Sequence, residues 1–337
     1  MDESPSIRSV ITSYHELNPT VLDELAEQPT ALDFMRYVST NRGFIVRRGA
    51  KDWDALRKWD AAYLRDAMKG RDVKVAVTPH GNADAVVADE AGRLLFVEPY
   101  EVNEPFETFL SVVQEDSRSQ DRSRGRNVRY AQTQNGNLPF EYANLAGDVP
   151  THIAFATEAL GQDPDAVNFW LGNDRSTTSL HKDNYENIYV QVRGQKHFIL
   201  LPPIEMPCVN ESPLSFARYR PTEDDGEDLV VETNKDIGPT PVPLWDPDEP
   251  ELRPTVYSKY SKPLKVTLNE GDMMYLPAMW YHKVGQGNGD EGFACSVNYW
   301  YDMDFSGSFW SSNAFVRDVY NASLTSVSYP ALDMQDE

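Results

Sequence analysis

The sequence predicts a mainly β fold, a sandwich or a barrel, with an α/β region before it and a helix after it. Many short apolar or alternating runs lie between residues 128 and 300, and turn residues separate them. The stretch 178–203 alone contains three such runs, with a turn at Gly194 and paired prolines at its end. The predicted strands are 128–134, 166–172, 178–182, 186–193, 196–201, 264–268, 273–276 and 293–300.

The N-terminal region predicts alternating helices and strands. Asn18 and Pro19 place a cap residue before a proline, which predicts a helix start there, and the polar first dozen residues are expected to be frayed. A second helix begins after Thr30, because Asp33 completes a partial capping box, and Asp60 caps a third helix. Further elements are strands at 43–47, 73–77 and 93–97 and a helix at 106–113.

Three segments depart from this pattern. Residues 115–127 are rich in Ser and Arg and poor in apolar side chains, so we expect a surface loop. Residues 205–262 contain many prolines and an acidic run, which predicts a long surface insertion or a lid. Aromatic residues at near-helical spacing predict an amphipathic helix over 306–324. We divide the chain into a helical and α/β buttress of the same fold (1–127), the β region with its insertion (128–305), and a C-terminal helix and tail (306–337).

Composition narrows the function classes. The 337 residues are 40% apolar and 25% charged, and no apolar run approaches the roughly 20 residues that span a bilayer. The start lacks the basic and apolar regions of a secretory signal, and two cysteines, Cys208 and Cys295, are too few for a disulfide framework. We therefore expect reduced thiols and a cytoplasmic location, with a nuclear pool also compatible.

The acidic charge balance indicates which kinds of binding partner suit this protein. The net charge is −22, from 31 basic and 53 acidic side chains. Such a surface repels nucleic-acid phosphate and anionic lipid, so it argues against direct binding of nucleic acid or membrane. It suits a basic protein substrate, and a simple contribution to solubility explains it equally well.

The candidate catalytic centre combines two distant motifs. His181 and Asp183 are two residues apart on a predicted strand, so their side chains project to the same side. The run from Gly271 to His282 is a Gly-Asp turn, an apolar strand that ends at a proline, and then Trp280 close to His282. An imidazole and a carboxylate on one face, with a second imidazole, form the facial triad that holds non-haem Fe(II). Each motif alone is common by chance, whereas their joint occurrence is specific.

The strands between these motifs predict a polar pocket. Along 186–193 polar side chains alternate with aliphatic ones, so one face of the strand is polar and the other apolar. Buried polar side chains need partners, and an anionic ligand would supply them. Lys196 leads the apolar strand 196–201, where a buried cation without an anion would be costly. A solvated hairpin end is the alternative interpretation of Lys196.

These segments resemble the JmjC branch of the cupin-type Fe(II)- and 2-oxoglutarate-dependent oxygenases, and within it the lysyl hydroxylases. The segments that carry the resemblance are Val75–Val86, Asp165–Gly172, Thr178–Asn187, Gly194–Phe198, Tyr275–His282 and Val297–Met303. The resemblance covers most of the chain, although 115–127 and 205–262 match poorly.

The resemblance implies a double-stranded β-helix, which is an open barrel of two sheets, with N-terminal α/β elements buttressing it. It implies that His181, Asp183 and His282 bind Fe(II) and are catalytic, with dioxygen as the co-substrate. The remaining implied roles concern 2-oxoglutarate: Lys196 binds its distal carboxylate with help from Tyr130 and Thr178, and Asn187, Tyr189 and Asn298 line the cofactor pocket.

The implied activity is hydroxylation of a lysine side chain in a protein, with developmentally regulated GTP-binding proteins as the expected substrates. Glu186, Asp290 and the run 223–228 are candidates for binding the cationic target. An N-methyl-lysine demethylase stays open, although the chain shows no reader domain or zinc-binding cysteine cluster, and so does a non-catalytic cupin binding module. A zinc hydrolase with the same ligands would leave Lys196 and Tyr130 unexplained. The aromatic C-terminal helix makes a homodimer a candidate assembly.

Overall fold

The computed structural model of the protein describes residues 3–119, 127–222 and 228–325. In these ranges the helices are α1 Pro5–Leu17, α2 Ala31–Thr40, α3 Asp54–Lys58, α4 Ala61–Ala67, α5 Phe106–Arg118, α6 Asn137–Phe140, α7 Ala154–Leu160 and α8 Ser308–Thr325. The strands are β1 Asp23–Leu25, β2 Phe44–Val46, β3 Asp72–Thr78, β4 Asn82–Ala83, β5 Ala85–Ala88, β6 Leu94–Glu98, β7 Tyr100–Pro105, β8 Val128–Tyr130, β9 Ala166–Gly172, β10 Thr177–His181, β11 Tyr185–Arg193, β12 Gln195–Leu201, β13 Glu211–Pro221, β14 Leu229–Thr233, β15 Thr240–Pro243, β16 Leu264–Leu268, β17 Met273–Leu276, β18 Tyr281–Gly287 and β19 Ala294–Asp302.

Two sheets pack face to face and form the barrel. One has six strands in the order β1-β2-β17-β11-β19-β9, and the other has five in the order β16-β12-β18-β10-β4. Their inner faces share one apolar cluster, in which the rings of Tyr189 on β11 and Phe198 on β12 meet edge to face at 5.1 Å. The predicted fold class, mainly β with a double-sheet barrel and a C-terminal helix, is confirmed.

The alternation along β11 separates the pocket from the core. Ile188, Val190 and Val192 are fully buried and pack on the outer side of the six-stranded sheet, against a cluster that includes Phe34 of α2. Complete burial of each such side chain contributes about 1.5–3 kcal/mol. The helices of the N-terminal region thereby cover the outer face of this sheet, and Asn187 and Tyr189 of β11 face the barrel interior.

The prediction for the extreme N-terminus is wrong. Helix α1 occupies the residues expected to be frayed, with Pro5 at its first position and Ile7 and Ile11 buried. Asn18 ends this helix, and its backbone N–H donates to the Tyr14 carbonyl. An Asn-Pro pair fits the end of a helix as well as the start of one, because the residue before proline avoids the α conformation. The caps at Thr30 and Asp60 are confirmed: each side chain accepts a backbone N–H three residues on.

Two further boundaries differ from the predictions. Helix α5 continues to Arg118, so the expected loop begins later than residue 115, and residues 120–126 of that loop lie outside the described ranges. Asp116 explains the extension, because its buried carboxylate accepts hydrogen bonds from Arg175 and Asn173. The predicted strand 128–134 is shorter, and the sequence prediction omitted β18, which carries His282.

The region 205–262 contains ordered strands. β13 pairs in parallel with β6 and antiparallel with β14 and β15, so this region joins a sheet with the N-terminal third of the chain. Helix α8 contacts it through Tyr320, which is buried against Tyr257, while Phe315 is exposed on the same helix. Among the described helices, none is both long and apolar enough to cross a membrane.

Candidate metal centre and its pocket

Two imidazoles lie opposite each other on neighbouring strands. β10 and β18 are antiparallel, and His181 is the direct partner of His282 in their register. Directly opposed residues of an antiparallel pair project from the same face, so both rings enter the barrel, where their centroids are 4.1 Å apart. The sequence analysis grouped these two residues from their motifs alone. It could not predict that they are opposite each other, because it did not predict β18.

Asp183 completes a three-residue donor set. Its Oδ2 lies 3.5 Å from Nε2 of His282 and 3.9 Å from Nε2 of His181. One ligand atom from each residue falls within 4.8 Å of the other two. The backbone carbonyl of Asp183 also accepts the N–H of Met279 at 2.8 Å, which ties this residue to the turn before β18. Two imidazoles and one carboxylate grouped in this way could hold a divalent metal on one face and leave its other positions open.

The backbone fixes the orientation of both imidazoles. Nδ1 of His181 lies 2.8 Å from the Ser179 carbonyl, and Nδ1 of His282 lies 3.0 Å from the Trp280 carbonyl. A carbonyl can only accept, so each Nδ1 carries a proton, and Nε2 is the atom that each ring offers to a metal. Burial, together with repulsion from His282, lowers the pKa of His181 to about 4. This ring is therefore neutral, and competent as a ligand, at physiological pH.

Asp183 is held in its ionised form. Burial alone would raise the pKa of this carboxyl, but the two neighbouring imidazoles, His282 and His181, lower the pKa below its ordinary value. The donor set is thus two imidazoles and one anion. This combination suits first-row metals such as iron, zinc and manganese.

A pocket opens beside the three donors. Its lining includes five of the residues predicted to bind a cofactor, together with others that the sequence analysis did not single out. The predicted residues in the lining are Tyr130, Thr178, Asn187, Tyr189 and Asn298. The additional ones are Gln134, Trp170, Phe198, Val284 and Trp300.

Lys196 lies behind the wall of this pocket. Its side chain is 1% exposed, and Nζ donates to the hydroxyl of Tyr130 at 2.9 Å. Burial lowers the pKa of Lys196 to about 7, and no carboxylate in the described ranges pairs with it. A buried cation without an anion is costly, so this position favours an anionic ligand that reaches the Tyr130–Lys196 pair.

Side-chain hydrogen bonds order the polar wall. Asn298 accepts from Nε1 of Trp170 at 2.8 Å and donates to Oδ1 of Asn187 at 3.0 Å. The hydroxyl of Tyr189 lies 2.7 Å from that of Ser296. The sequence analysis did not identify Trp170 as a pocket residue. Its position on the predicted strand 166–172 is a signal that could have identified it, since alternate residues of a strand project to one face. In the structure Trp170 is the direct partner of Ser296 on β19.

Two of the acidic residues expected near the pocket, Glu186 and Asp290, lie away from it. The carboxylate of Glu186 is buried outside the barrel interior, where it accepts from the Tyr275 hydroxyl and the Ala278 N–H. Asp290 is exposed and follows the last residue of β18, whereas His282 lies near the first residue of that strand. Residues 223–227 are outside the described ranges. Two other acids, Asp165 and Asp302, flank Tyr185, whose ring stacks on the pocket residue Trp300.

Comparisons with known proteins give consistent results. The sequence profile of the family described as "Cupin-like domain" matches residues 29–307. The chain is 40% identical to the human bifunctional peptidase and (3S)-lysyl hydroxylase JMJD7, over 85% of this chain and 86% of that protein. It is 38% identical to the lysine-specific demethylase JMJ32 of Arabidopsis thaliana, over 85% and 83% of the two chains. It is 34% identical to the JmjC domain-containing protein E of Dictyostelium discoideum, over 84% of each.

Proposed function

The chain belongs to the cupin-like JmjC family of hydroxylases and demethylases, and from that premise we propose that it is an Fe(II)- and 2-oxoglutarate-dependent protein lysyl hydroxylase. The observation that carries the proposal is the open donor set of His181, Asp183 and His282 beside a pocket whose lining residue Tyr130 accepts a hydrogen bond from the buried Lys196. The relative named as a (3S)-lysyl hydroxylase supports the reaction, since it aligns over most of both chains.

The residues present fit the metal and the cofactor. The donor set is one that non-haem iron accepts, because it combines two imidazoles with one carboxylate. The buried Lys196 ammonium and the Tyr130 hydroxyl suit the distal carboxylate of 2-oxoglutarate. Bound iron and 2-oxoglutarate would supply, with dioxygen, the chemistry that converts a C–H bond into an alcohol and releases succinate and carbon dioxide.

The protein's contribution is to hold and orient these groups. His181, Asp183 and His282 would bind the metal through Nε2, a carboxylate oxygen and Nε2, since both Nδ1 atoms are occupied by backbone carbonyls. Thr178, Asn187, Tyr189 and Asn298 would pack and hydrogen-bond along the cofactor. The aromatic side chains around the pocket would exclude water from the reacting centre.

The substrate we propose is a lysine in a basic segment of a protein, such as a developmentally regulated GTP-binding protein. The net charge of −22 favours a cationic partner, and Asp165 and Asp302 lie at the Tyr185–Trp300 edge of the pocket. A lysine-specific demethylase is the second candidate, because the Arabidopsis relative carries that name at 38% identity. Oxygen insertion at an N-methyl carbon would then release formaldehyde.

Mass spectrometry of reaction products tests the proposal. The protein is incubated with Fe(II), ascorbate and 2-oxoglutarate, and with either candidate GTP-binding proteins or methylated histone peptides. We expect one added oxygen on an unmodified lysine, coupled to succinate formation. Loss of a methyl group with formaldehyde would replace the proposal with the demethylase. If cofactor does not bind, the oxygenase assignment fails.

The ligand assignment is tested in the same assay. We expect Asp183→Ala to abolish 2-oxoglutarate turnover without unfolding the protein, because the variant removes the anionic donor from a partly open site. Asp52→Ala, which changes an exposed aspartate in the turn before α3, is the matched control and should keep full activity. Full turnover by Asp183→Ala would remove the metal assignment.

A further inference from the structure

A second layer of polar side chains lies next to Lys196. Gln286 is 6% exposed and Ser176 is 1% exposed, so both are almost completely buried. Within the described residues, neither the amide nitrogen nor the amide oxygen of Gln286 has a hydrogen-bond partner, and the hydroxyl of Ser176 has none. Buried amides and hydroxyls are usually paired, so these two side chains call for a ligand.

The strand register places Gln286 beside the ammonium group. Gln286 of β18 is the direct partner of Lys196 of β12. In an antiparallel pair directly opposed side chains share one face, with Cβ atoms about 5 Å apart. Gln286 therefore projects from the same face as Lys196, toward Tyr130 and the interior of the barrel.

A glycine brings the second layer together. A Cβ atom at Gly172 of β9 would lie 2.8 Å from Nε2 of Gln286, 2.8 Å from Oγ of Ser176 and 2.7 Å from Cδ2 of Tyr130. The side chains of Tyr130, Gln286 and Ser176 thus converge on the space beside Gly172. Any residue other than glycine would fill this space with its Cβ atom.

The chemistry of the layer suits a carboxylate. An amide N–H, a hydroxyl and an ammonium group are donors, and a carboxylate is the acceptor that matches them. His282 and Gln286 are four residues apart on β18, which separates their Cα atoms by about 13 Å. A ligand that extends from the metal donors to this layer must be elongated and anionic at its far end.

We propose that Gln286 and Ser176 extend the 2-oxoglutarate pocket behind Tyr130, and that Gln286 determines how long a dicarboxylate the pocket accepts. This inference rests on the proposed function, because it concerns the far end of the same site. Gln286 interacts with the ligand's distal carboxylate alongside Lys196, and Gly172 keeps the approach clear.

Binding measurements on the Mn(II)-loaded full-length protein test this inference, because they do not depend on turnover. The variant Gln286→Glu places a carboxylate beside Lys196, where it pairs with the ammonium internally and repels the ligand. We expect its dissociation constant for 2-oxoglutarate to rise at least tenfold, with Mn(II) affinity unchanged. Gln195→Glu makes the same change on β12 one residue from Lys196, on the opposite face, and should bind 2-oxoglutarate like the wild type.

A second variant tests the length selection. Gln286→Ala opens the closed end of the pocket, so the preference for 2-oxoglutarate over the one-carbon-longer 2-oxoadipate should fall at least tenfold. Unchanged 2-oxoglutarate binding in Gln286→Glu would overturn the inference. So would a parallel loss of Mn(II) affinity and thermal stability in both variants, since that result indicates a purely structural role. If the wild type itself binds Mn(II) but no 2-oxoglutarate, the proposed function fails instead.

Discussion

At the scale of single residues, Lys196 controls the charge of the pocket. Its ammonium is buried and donates a hydrogen bond to the Tyr130 hydroxyl, and burial lowers its pKa from 10.5 to about 7. The thiol of Cys295 also acts electrostatically on Lys196, but burial raises the pKa of this thiol to about 12, so it supplies no anion near neutrality. A bound dicarboxylate would restore the charged form of Lys196.

We therefore expect 2-oxoglutarate binding to weaken as the pH rises above 7. The free protein loses the Lys196 proton in this range, and binding must take it up again, so the dissociation constant rises by up to about tenfold per pH unit. For the same reason the ligand-free protein gains stability between pH 7 and pH 10.5, where the unfolded chain binds the additional proton. Calorimetry in buffers of different ionisation enthalpy, from about pH 6 to pH 9, measures the proton uptake directly.

Lys196→Arg is the matched control for this profile. A guanidinium stays protonated throughout the range, so the variant should bind 2-oxoglutarate with no proton uptake above pH 7. If this variant shows the same pH dependence as the wild type, another group is responsible for the titration.

At the scale of elements, the turn between β17 and β18 sets the position of His282. Met279 adopts a positive φ of 67° there, and its N–H donates to the Asp183 carbonyl. The Glu186 carboxylate accepts the Ala278 N–H, and Asn41 donates to the Ala278 carbonyl. Contacts from two separate segments, 183–186 and Asn41, thus fix the turn that leads to His282.

A buried ionic cluster joins β13, β18 and the residue Lys182 to the C-terminal helix α8. Glu211 of β13 accepts hydrogen bonds from Lys182, from Tyr281 at 2.6 Å, and from Arg317 of α8. Lys182 lies between two candidate metal ligands, and Tyr281 precedes the third. We expect Glu211→Ala to lower the free energy of unfolding by about 3 kcal/mol, because two largely buried cations lose their anion. Urea denaturation followed by tryptophan fluorescence measures the change.

The control for the cluster is Asp318→Ala, which removes an exposed acid from the same helix. It should change the free energy of unfolding by less than about 0.5 kcal/mol, as surface substitutions usually do. An equal loss of stability in both variants would mean that the total charge of α8, not the buried cluster, is responsible.

The elements that sequence reasoning recovered are those with local signals. The helix cap joins Thr30 to Asp33, three residues away, and the alternation along β11 repeats every two residues. Both signals are therefore visible in a short stretch of sequence. Helix α1 has an equally local start at Pro5, but its stability comes from Ile7 and Ile11 packing against distant residues. The β18 strand was missed because glycines interrupt it and its partners, β10 and β12, lie far away in the chain.

The candidate site was predictable only in part for the same reason. The spacing of His181 and Asp183 places both on one side of the chain without reference to any other segment. The second layer at Gln286 and Ser176 could not be inferred, because it exists only through the register of β12 and β18 and the bare backbone at Gly172.

At the scale of the whole molecule, the barrel depends on segments from distant parts of the chain. β2 of the N-terminal region pairs with β17, and β4 pairs with β10, so both barrel sheets include N-terminal strands. β8 pairs with β3, while β13 of the region 205–262 pairs with β6. Because these pairings are non-local, we infer that the segments fold together with the barrel.

The net charge makes a prediction about substrate encounter. With 53 acidic and 31 basic side chains, the protein has a negative electrostatic field that attracts a cationic segment. Salt shortens the range of this attraction, because the Debye length falls from about 10 Å at 0.1 M to about 3 Å at 1 M. We expect kcat/KM for a lysine in a basic protein segment to fall several-fold between about 0.05 M and 0.5 M NaCl, mainly through KM. A peptide with the same target lysine and neutral flanks is the control, and its kcat/KM should change little. Equal salt dependence for both substrates would leave the acidic surface with a role in solubility alone, because steering acts only on the charged segment.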